Sequence, residues 1–479
     1  MKNSLIVSVI ALLFSATWAL AQQPRLQYYR PWDQTGINVF EAPKKSEQPE
    51  FTGFKIRIGG SFTQDFQSLK HENGPTYVPI SASNATNRNL LYGVIKDEDS
   101  TSATLTGFNL AMANLNLDFQ IADGIRVALE NYMSARRHSE FWVKGGYIQI
   151  DKLPMLGNPK WFADYLRVKI GHFQPNFGDM QFRRTDGGNA MFNPFVENYI
   201  LDAFTTEIGG EVYVFPVDGV MGMVGMSSGF INGNVENYAN AVNSSGVVPT
   251  KKNPSIFAKV AYDKSFSDLR LRLSASIYNN SNIARNTLYA GDRTGSHYFL
   301  VMEPALQAAT AAAPNGTATT TAGQAISGRF DPSMSNRITA IMVNPFVKWK
   351  GLELFGSYEI LQGSVYADVS GATDQRVWGK RNFKQYSLEG VYRFLPREQV
   401  YVGARYIGVT GEPRGVVDAN GNQQEVSIDR LAFAAGWFPT QNLLLKGEYV
   451  VQNFKDFPTT DYRNEGKFSG FVIEAVIGF

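Results

Sequence analysis

The sequence predicts an all-β fold, a transmembrane antiparallel β-barrel of about 16 strands with short periplasmic turns and long extracellular loops. Three observations predict this fold. Apolar and polar residues alternate with a period of two along most of the chain, short and long connections alternate between those segments, and aromatic residues make up 13% of a chain that contains 44 glycines. The chain has no cysteine, so packing or a closed hydrogen-bonded sheet has to stabilise it instead of disulfides.

The N-terminus has the pattern of a cleaved secretory signal. Lys2 is followed by an apolar run that begins at Leu5 and ends at Ala19-Leu20-Ala21. A charged start, an apolar core and a small-x-small exit are typical of signal peptides. We therefore predict that residues 1–21 are removed, with an uncleaved anchor helix as the alternative.

The segment after the predicted cleavage site differs from the remainder of the chain. Residues 22–51 show no sustained period and contain several prolines. This composition predicts an N-terminal leader on the periplasmic side, too short to be a plug domain. The remaining residues, 52–479, form the predicted barrel.

The alternation can be tested one segment at a time. In 165–173, Leu166, Val168 and Ile170 share one face of a strand, whereas Arg167 and Lys169 share the other. Such a pattern predicts a strand with one apolar and one polar face. The predicted strands are 53–68, 105–121, 124–136, 141–151, 165–173, 204–215, 219–230, 254–263, 268–279, 337–349, 352–366, 384–395, 398–410, 427–438, 441–453 and 467–479.

The lengths of the connections decide between a membrane barrel and a soluble sandwich. Half-apolar strands occur in both folds, but alternating short turns and long polar loops are typical of outer-membrane barrels. The longest connection is 280–335, where HYFLVMEP (297–304) is an alternative strand. A barrel of 16–18 strands encloses an aqueous channel, so the fold predicts a pore.

Several stretches of the sequence resemble one family. LRVKIGHFQPNFG (166–178), DAFTTEIGGEVYVF (202–215) and GFINGN (229–234) resemble the phosphate-selective porin O/P family of outer-membrane porins, and FRRTDGGNAMFNPFVEN (182–198) is similar to its general-porin branch. The resemblance implies a homo-trimer in outer-membrane lipid, with one long loop folded into each lumen. It also implies that Phe479, the last residue, is read by the barrel-assembly machinery.

Alternation also assigns charged side chains to the lumen. The predicted lining is nearly balanced, because it holds eleven basic and eight acidic residues, and no ladder of one sign is traced. A lining of one sign favours the opposite ion, so the alternatives are weak anion preference and salt pairs that only brace the wall. The residues are Arg126, Arg167, Lys169, Lys259, Arg270, Arg272, Lys348, Arg393, Arg405, Arg430, Lys446, Asp118, Glu130, Glu207, Glu211, Glu353, Glu359, Glu389 and Glu448.

The stretch 174–203 is the predicted constriction loop. It contains Arg183 and Arg184, whose guanidinium groups suit carboxylate or phosphate, together with Asp186 and Glu197 as nearby pairing partners. Three roles are open for the arginines: an eyelet that filters solutes, a staple within the loop, and a dedicated anion site. The eyelet is the prediction.

The function predicted is passive diffusion of small hydrophilic solutes and ions. The alternatives are a substrate-specific anion channel of the phosphate type and a non-conducting surface barrel for adhesion or scaffolding. The four histidines lack metal-ligand spacing and no catalytic motif is present, so neither enzyme activity, a cofactor nor a metal is predicted. A net charge of +2 without a dense basic run predicts no nucleic-acid partner. The aromatic residues predicted to form interfacial girdles are Trp142, Trp349, Trp378, Trp437, Tyr386 and Tyr401.

Overall fold

Sixteen long strands form the wall of the protein. In the computed structural model they are β1 (Lys55–Glu72), β2 (Ser102–Ala122), β3 (Ile125–Met133), β4 (Trp142–Ile150), β5 (Leu166–Phe173), β6 (Glu207–Val214), β7 (Val220–Phe230), β8 (Ser255–Phe266), β9 (Leu269–Asn280), β10 (Arg337–Trp349), β11 (Leu352–Ser364), β12 (Arg381–Phe394), β13 (Val400–Gly411), β14 (Val426–Thr440), β15 (Leu443–Lys455) and β16 (Lys467–Gly478). The structure describes residues 23–42, 44–74, 77–81, 84–89, 91–94, 101–137, 140–230, 253–283, 285–290, 294–304, 306–307, 317–318, 326–365, 380–418, 420–459 and 461–479.

The sheet is a closed antiparallel meander. Each strand pairs with its neighbours in sequence, and β1 pairs with β16 to close the barrel. The closing seam is in register from Ser61 opposite Gly478 to Glu72 opposite Lys467. Closure leaves no strand edge unpaired, which is the condition for a sheet to sit in lipid. The predicted fold class and all sixteen predicted strands are therefore confirmed, within a few residues at their ends.

The outward face of the sheet is apolar. Alternation along β16 leaves Phe471, Ile473 and Ile477 45%, 54% and 49% exposed, while the intervening Val472 and Glu474 are buried. The same alternation exposes apolar residues around the barrel, and this band matches the hydrocarbon layer of a membrane.

One of the aromatic residues predicted for the girdles, Tyr401, is not placed there. Tyr401 is 1% exposed and faces inward, where its hydroxyl donates to the Pro194 carbonyl at 3.0 Å. It shares the inward parity of Arg405 on β13, so the girdle prediction was wrong for this residue. Trp378 lies outside the described residues, whereas Trp349 and Trp437 are 54% and 52% exposed.

The two ends of the barrel differ in their connections. Turns of a few residues join the strands at one end, apart from 151–165, which contains a short helix, α1 (Lys160–Tyr165). The other end carries the long loops, of which the first contains a hairpin of Tyr77–Ser81 and Asn84–Asn89. Residues 294–304 form turns instead of the alternative strand. Among the described residues, no helix combines the length and apolar character needed to cross a membrane.

Three segments fold into the barrel and bury the inward face of the wall. They are the leader (23–50), the loop between β5 and β6 (174–206, the constriction loop hereafter) and the described part of the loop between β9 and β10, chiefly 294–304 (the lumen segment hereafter). Each of the three segments has buried aromatic residues, for example Phe40 in the leader, Phe195 in the constriction loop and Tyr298 in the lumen segment. The predicted signal peptide lies outside the described residues.

Candidate functional site

The constriction loop leaves β5 abruptly. Pro175 cannot donate to a neighbouring strand, and Gly178 takes a left-handed φ of +68°. A Cβ at Gly178 would lie 2.3 Å from the Met342 sulfur of the opposite wall, so the close approach requires glycine. The backbone N–H groups of Gly178 and Asp179 donate to Ser276 and Asn344 at 2.9 Å each. The loop therefore crosses the lumen directly after its strand ends.

Long basic side chains of the far wall hold the loop by its carbonyls. Lys446 Nζ lies 2.9 Å from the Phe195 carbonyl, Arg405 donates to the Glu197 carbonyl at 2.7 Å, and Arg430 donates to the Asn198 carbonyl at 2.8 Å. These carbonyls have no strand partner, so the wall side chains replace the bonds that a sheet would supply. Three of the predicted lumen cations thus serve to dock the loop.

The described carboxylate partners of the arginine pair are Glu389 and Asp202, and Glu197 is not among them. Arg183 pairs with Glu389 on β12 and donates to Asn38 of the leader at 2.8 Å. Arg184 binds Asp202 in a fork, at 2.7 Å and 3.2 Å. Both arginines are buried, 3% and 0% exposed. The expectation that they pair with neighbours in sequence was therefore wrong for Glu197, because the folded loop brings partners from farther away.

Glu197 serves a different contact. Its carboxylate accepts from the His297 backbone N–H at 2.7 Å and from the Ser296 hydroxyl, so it joins the constriction loop to the lumen segment. Asp186 lies in a single 3-10 turn, Thr185–Gly187, and its side chain is not among those described.

Asp179 is the centre of a charge cluster between loop, wall and leader. Arg272 binds it in a fork at 2.8 Å and Lys259 lies 2.7 Å away. The same two cations hold Glu41 of the leader, at 2.8 Å and 2.9 Å. Burial alone would raise the pKa of Glu41, but the charges of Arg272 and Lys259 outweigh it and hold that pKa at about 2. Burial also raises the pKa of Asp179, but the same two cations outweigh it and lower that pKa below its ordinary value, so both carboxylates are ionised near neutral pH.

The leader lies inside the short-turn mouth of the barrel and contacts the wall throughout its length. Gln27 contacts Gln120 of β2, and Lys44 lies 3.2 Å from Asp151. Gln34 donates to the Arg397 carbonyl in the turn between β12 and β13, at 2.9 Å. The sequence predicted a leader on the periplasmic side, and no pattern in the sequence indicated that this leader docks inside the barrel.

A cavity of about 200 Å³ remains between the leader, the constriction loop and the β2–β6 wall; we call it the wall cavity. At about 30 Å³ per water this is room for roughly six waters. Its lining combines tyrosines such as Tyr147 and Tyr213 with charged residues. The charged lining residues are Arg30, Arg126, Arg167, Lys169, Glu41, Asp118 and Glu130.

A second cavity, of about 470 Å³, opens at the short-turn end between the leader and β8–β9; we call it the mouth cavity. Arg270 and Arg272 line it. Phe40 and Glu41 of the leader line both cavities, so this part of the leader separates the two spaces.

The predicted site residues therefore divide into two groups. Arg126, Glu130, Arg167 and Lys169 line the wall cavity and Arg270 and Arg272 the mouth cavity, whereas Arg183, Arg184 and Glu197 dock the loop.

Most predicted lumen cations have a carboxylate partner. Within the described chain Arg430 differs, because it donates to Gln452 and to two loop carbonyls. Paired charges of both signs brace the wall and leave a weak net field. The pairs are Arg126–Asp118, Arg167–Asp151, Lys169–Glu211, Lys259–Asp179, Arg270–Asp263, Arg272–Asp179, Lys348–Glu353, Arg393–Glu353, Arg405–Glu389 and Lys446–Glu474.

A closed sixteen-stranded barrel with an apolar outer band, a charged interior and an inward-folded loop has the architecture of an outer-membrane porin. No family model matches this chain, and no curated protein matches its sequence.

Several solved structures are similar to the chain as a whole. The channel DcaP of Acinetobacter baumannii is 12% identical, with 91% of this chain and 100% of that chain covered and a TM-score of 0.49. An anion-selective porin from Comamonas acidovorans is 10% identical, with 89% of this chain and 100% of that chain covered and a TM-score of 0.46. OmpF of Salmonella typhi is 12% identical, with 89% of this chain and 98% of that chain covered and a TM-score of 0.45. At this distance the similarity adds nothing about solutes, and the barrel is defined by its own strand pairing.

Proposed function

We propose that this protein is a general diffusion porin of the outer membrane with a narrow, off-centre passage. The observation that carries the proposal is the division of the lumen: loops cover most of the inward face of β8–β16 outside the mouth cavity, whereas charged and aromatic side chains of β2–β6 line the wall cavity. The passage runs from the long-loop end through the wall cavity, past Phe40 and Glu41, to the mouth cavity. No energy source or chemical step is needed, since a solute crosses down its own gradient.

Size is the main filter. The wall cavity, at about 200 Å³, is smaller than the roughly 300–1,000 Å³ of pockets that hold drug-sized ligands. Ions and small hydrophilic solutes therefore pass, whereas larger sugars are excluded unless the leader or loop moves.

Charge is the second and weaker filter. The wall cavity is lined by four basic residues, Arg30, Arg126, Arg167 and Lys169, and by three acidic residues, Glu41, Asp118 and Glu130. Because Arg126 and Arg167 are paired with carboxylates, the excess positive field is small. A weak anion preference follows, without phosphate specificity.

The arginine pair anchors the constriction loop in this proposal instead of filtering solutes. Neither side chain lines either cavity, and each is bound by a carboxylate. Replacing both, Arg183→Ala with Arg184→Ala, frees the loop and raises conductance and its noise, with little change in ion preference. An unchanged conductance together with an altered reversal potential would restore the filtering role.

Insertion and assembly belong to the same proposal. Phe479 exchanges backbone hydrogen bonds with Gly60 at 3.1 Å and 3.2 Å and stacks on Phe62, with ring centroids 6.0 Å apart. A terminal aromatic residue at the seam suits recognition by assembly machinery before the seam closes. A homo-trimer, predicted by resemblance, is tested by cross-linking in detergent.

Single-channel recording in planar bilayers tests the function. We expect an ohmic conductance, a small reversal potential towards anions, and partial block only by large sugars. Saturation and block by one small anion would indicate the substrate-specific channel instead. Folded protein that inserts but carries no current would indicate a surface scaffold.

A further inference from the structure

Three metal-ligating side chains meet at the seam where the barrel closes. Asp65 on β1 lies opposite Glu474 on β16 in the register of the sheet. His297 of the lumen segment approaches both, with its Nδ1 2.7 Å from Glu474 Oε2 and 3.7 Å from Asp65 Oδ2. The three donor atoms lie within 4.8 Å of one another. Side chains from three separate segments thus converge on one point.

The cluster is sealed from solvent, and one member has no partner there. Asp65, Glu474 and His297 are 2%, 0% and 1% exposed. Neither carboxylate oxygen of Asp65 has a hydrogen-bond partner among the described residues. Buried carboxylates in proteins are almost always hydrogen-bonded, paired or bound to a metal. Asp65 therefore faces Glu474 and His297 without an N–H or O–H donor at hydrogen-bond distance from the described residues.

The charges around the cluster leave it negative. Lys446 lies 2.7 Å from Glu474 Oε1, but its ammonium also lies within 3.1 Å of three carbonyls of the constriction loop. With a neutral imidazole, two carboxylates face one shared cation. A buried excess negative charge is strongly disfavoured, so a further cation would complete the site.

We propose that Asp65, His297 and Glu474 bind one divalent transition-metal ion of the Zn²⁺ type, with a water as the fourth ligand. One imidazole and two carboxylates are suitable donors for Zn²⁺, and ligands at about 2.0–2.2 Å in a tetrahedron lie about 3.4 Å from one another. The distances of 2.7 Å and 3.7 Å bracket that value, so small side-chain rotations open the site. Zn²⁺ binds Nδ1 of the neutral imidazole, whose N–H proton then lies on Nε2, so the ring changes tautomer without a net release of a proton.

The site fastens the lumen segment to the wall. His297 carries the segment's only ligand in the cluster, while the other two ligands come from the first and last strands. The His297 backbone N–H also donates to Glu197 at 2.7 Å, which couples the constriction loop to the same point. The metal thereby holds the filled side of the lumen in place and is structural, because three protein ligands in a dry site leave little access for a solute.

Metal binding to the full-length protein, folded in detergent and stripped with a chelator, tests the proposal. We expect calorimetric titration with Zn²⁺ to show one ion per chain and a raised melting temperature. Co²⁺ should give the visible absorption of a four-coordinate site, and Mg²⁺, which demands oxygen ligands in an octahedron, should not compete.

Single substitutions identify the ligands. Asp65→Asn and His297→Gln should each weaken Zn²⁺ binding at least as much as the ~10–100-fold typical for loss of an outer-shell partner. Glu359→Gln and His71→Gln are matched controls, since both parent residues are buried in the lumen, at 1% and 0% exposure, and hydrogen-bonded elsewhere. Both controls should bind Zn²⁺ as the parent protein does.

Two results would overturn the assignment. One is folded parent protein that binds no Zn²⁺ and shows an infrared band of a protonated carboxylic acid, lost in Asp65→Asn, because a proton would then complete the site. The other is unchanged Zn²⁺ affinity in both ligand variants. Heat-modifiable migration on gels shows that each variant is folded, and the titration of the parent protein stands even where a variant does not fold.

Discussion

The two sides of the lumen are built from the same kind of strand but differ in what covers their inward side chains. Along β2–β6, inward residues such as Lys169 and Tyr147 face the wall cavity. Along β12–β15, inward residues such as Arg405 and Lys446 are 1% and 3% exposed because the constriction loop covers them. Polar residues at inward positions therefore do not by themselves indicate a water-filled pore. What they face is decided by where the loops dock.

The largest effect is expected from removing the charge that docks the loop on the filled side. Asp179→Ala leaves Lys259 with Glu41, and Arg272 with Glu41 and Asp263, as the remaining close carboxylates. Breaking a buried ion pair costs about 3–5 kcal/mol, so we expect the loop to undock while the wall stays closed. Single-channel conductance should rise, with a lower melting temperature.

An exposed ion pair is the matched control for this variant. Asp218 pairs with Lys264 at 3.3 Å in the turn region, and the Asp218 side chain is 72% exposed. Asp218→Ala should change stability by no more than about 1 kcal/mol and leave conductance unaltered. Equal effects of the two variants would mean that the loop is not held by the Asp179 cluster.

An intermediate effect is expected from acidification, which acts on the leader between the two cavities. Burial raises the pKa of Glu41, but Arg272 and Lys259 outweigh it and hold the value at about 2, below the ordinary 4.5. Ionised Glu41 therefore stabilises docking fully above about pH 4.5, and this stabilisation is lost as the pH falls towards 2. Conductance should be constant from neutral pH down to that range and then rise.

The variant Glu41→Gln separates the leader from other acid effects. Its conductance at neutral pH should already resemble that of the parent protein in acid, and its acid transition should be reduced. A parent-like conductance at neutral pH, with the acid transition intact, would show that another group controls the mouth.

The smallest effect is expected from the open side. Lys169 is paired with Glu211 at 3.6 Å, and its side chain keeps 16% exposure. Lys169→Gln removes one positive charge from the wall cavity and should shift the reversal potential a little towards cations. The loss of stability should be smaller than for Asp179→Ala, because buried Glu211 keeps hydrogen bonds from Asn176 and Tyr213. Lys264→Gln, at the 39% exposed partner of Asp218, should leave the reversal potential as it was. If Lys264→Gln shifted the reversal potential as much as Lys169→Gln, the charge that selects ions would lie at the short-turn end of the barrel and not in the wall cavity.

Alternation in the sequence was sufficient to predict which side chains of the wall point inward, but not which partners the charged side chains have. The period-two pattern assigned Arg405 and Lys446 to the lumen correctly because side-chain direction in a strand depends only on local parity. The same parity would have placed Tyr401 inward, where it lies. The partners of Arg183 could not be found this way, since Glu389 is 206 residues away in sequence.

The sequence by itself determined the closed barrel, its sixteen strands, the outward and inward faces and the ends that carry short and long connections. These features follow from local rules of period, turn length and exclusion of unpaired backbone from lipid. Only the tertiary structure decided which half of the lumen is filled, where the leader docks and how Asp65, His297 and Glu474 come together. Those outcomes depend on contacts between distant segments, and no local pattern in the chain encodes their geometry.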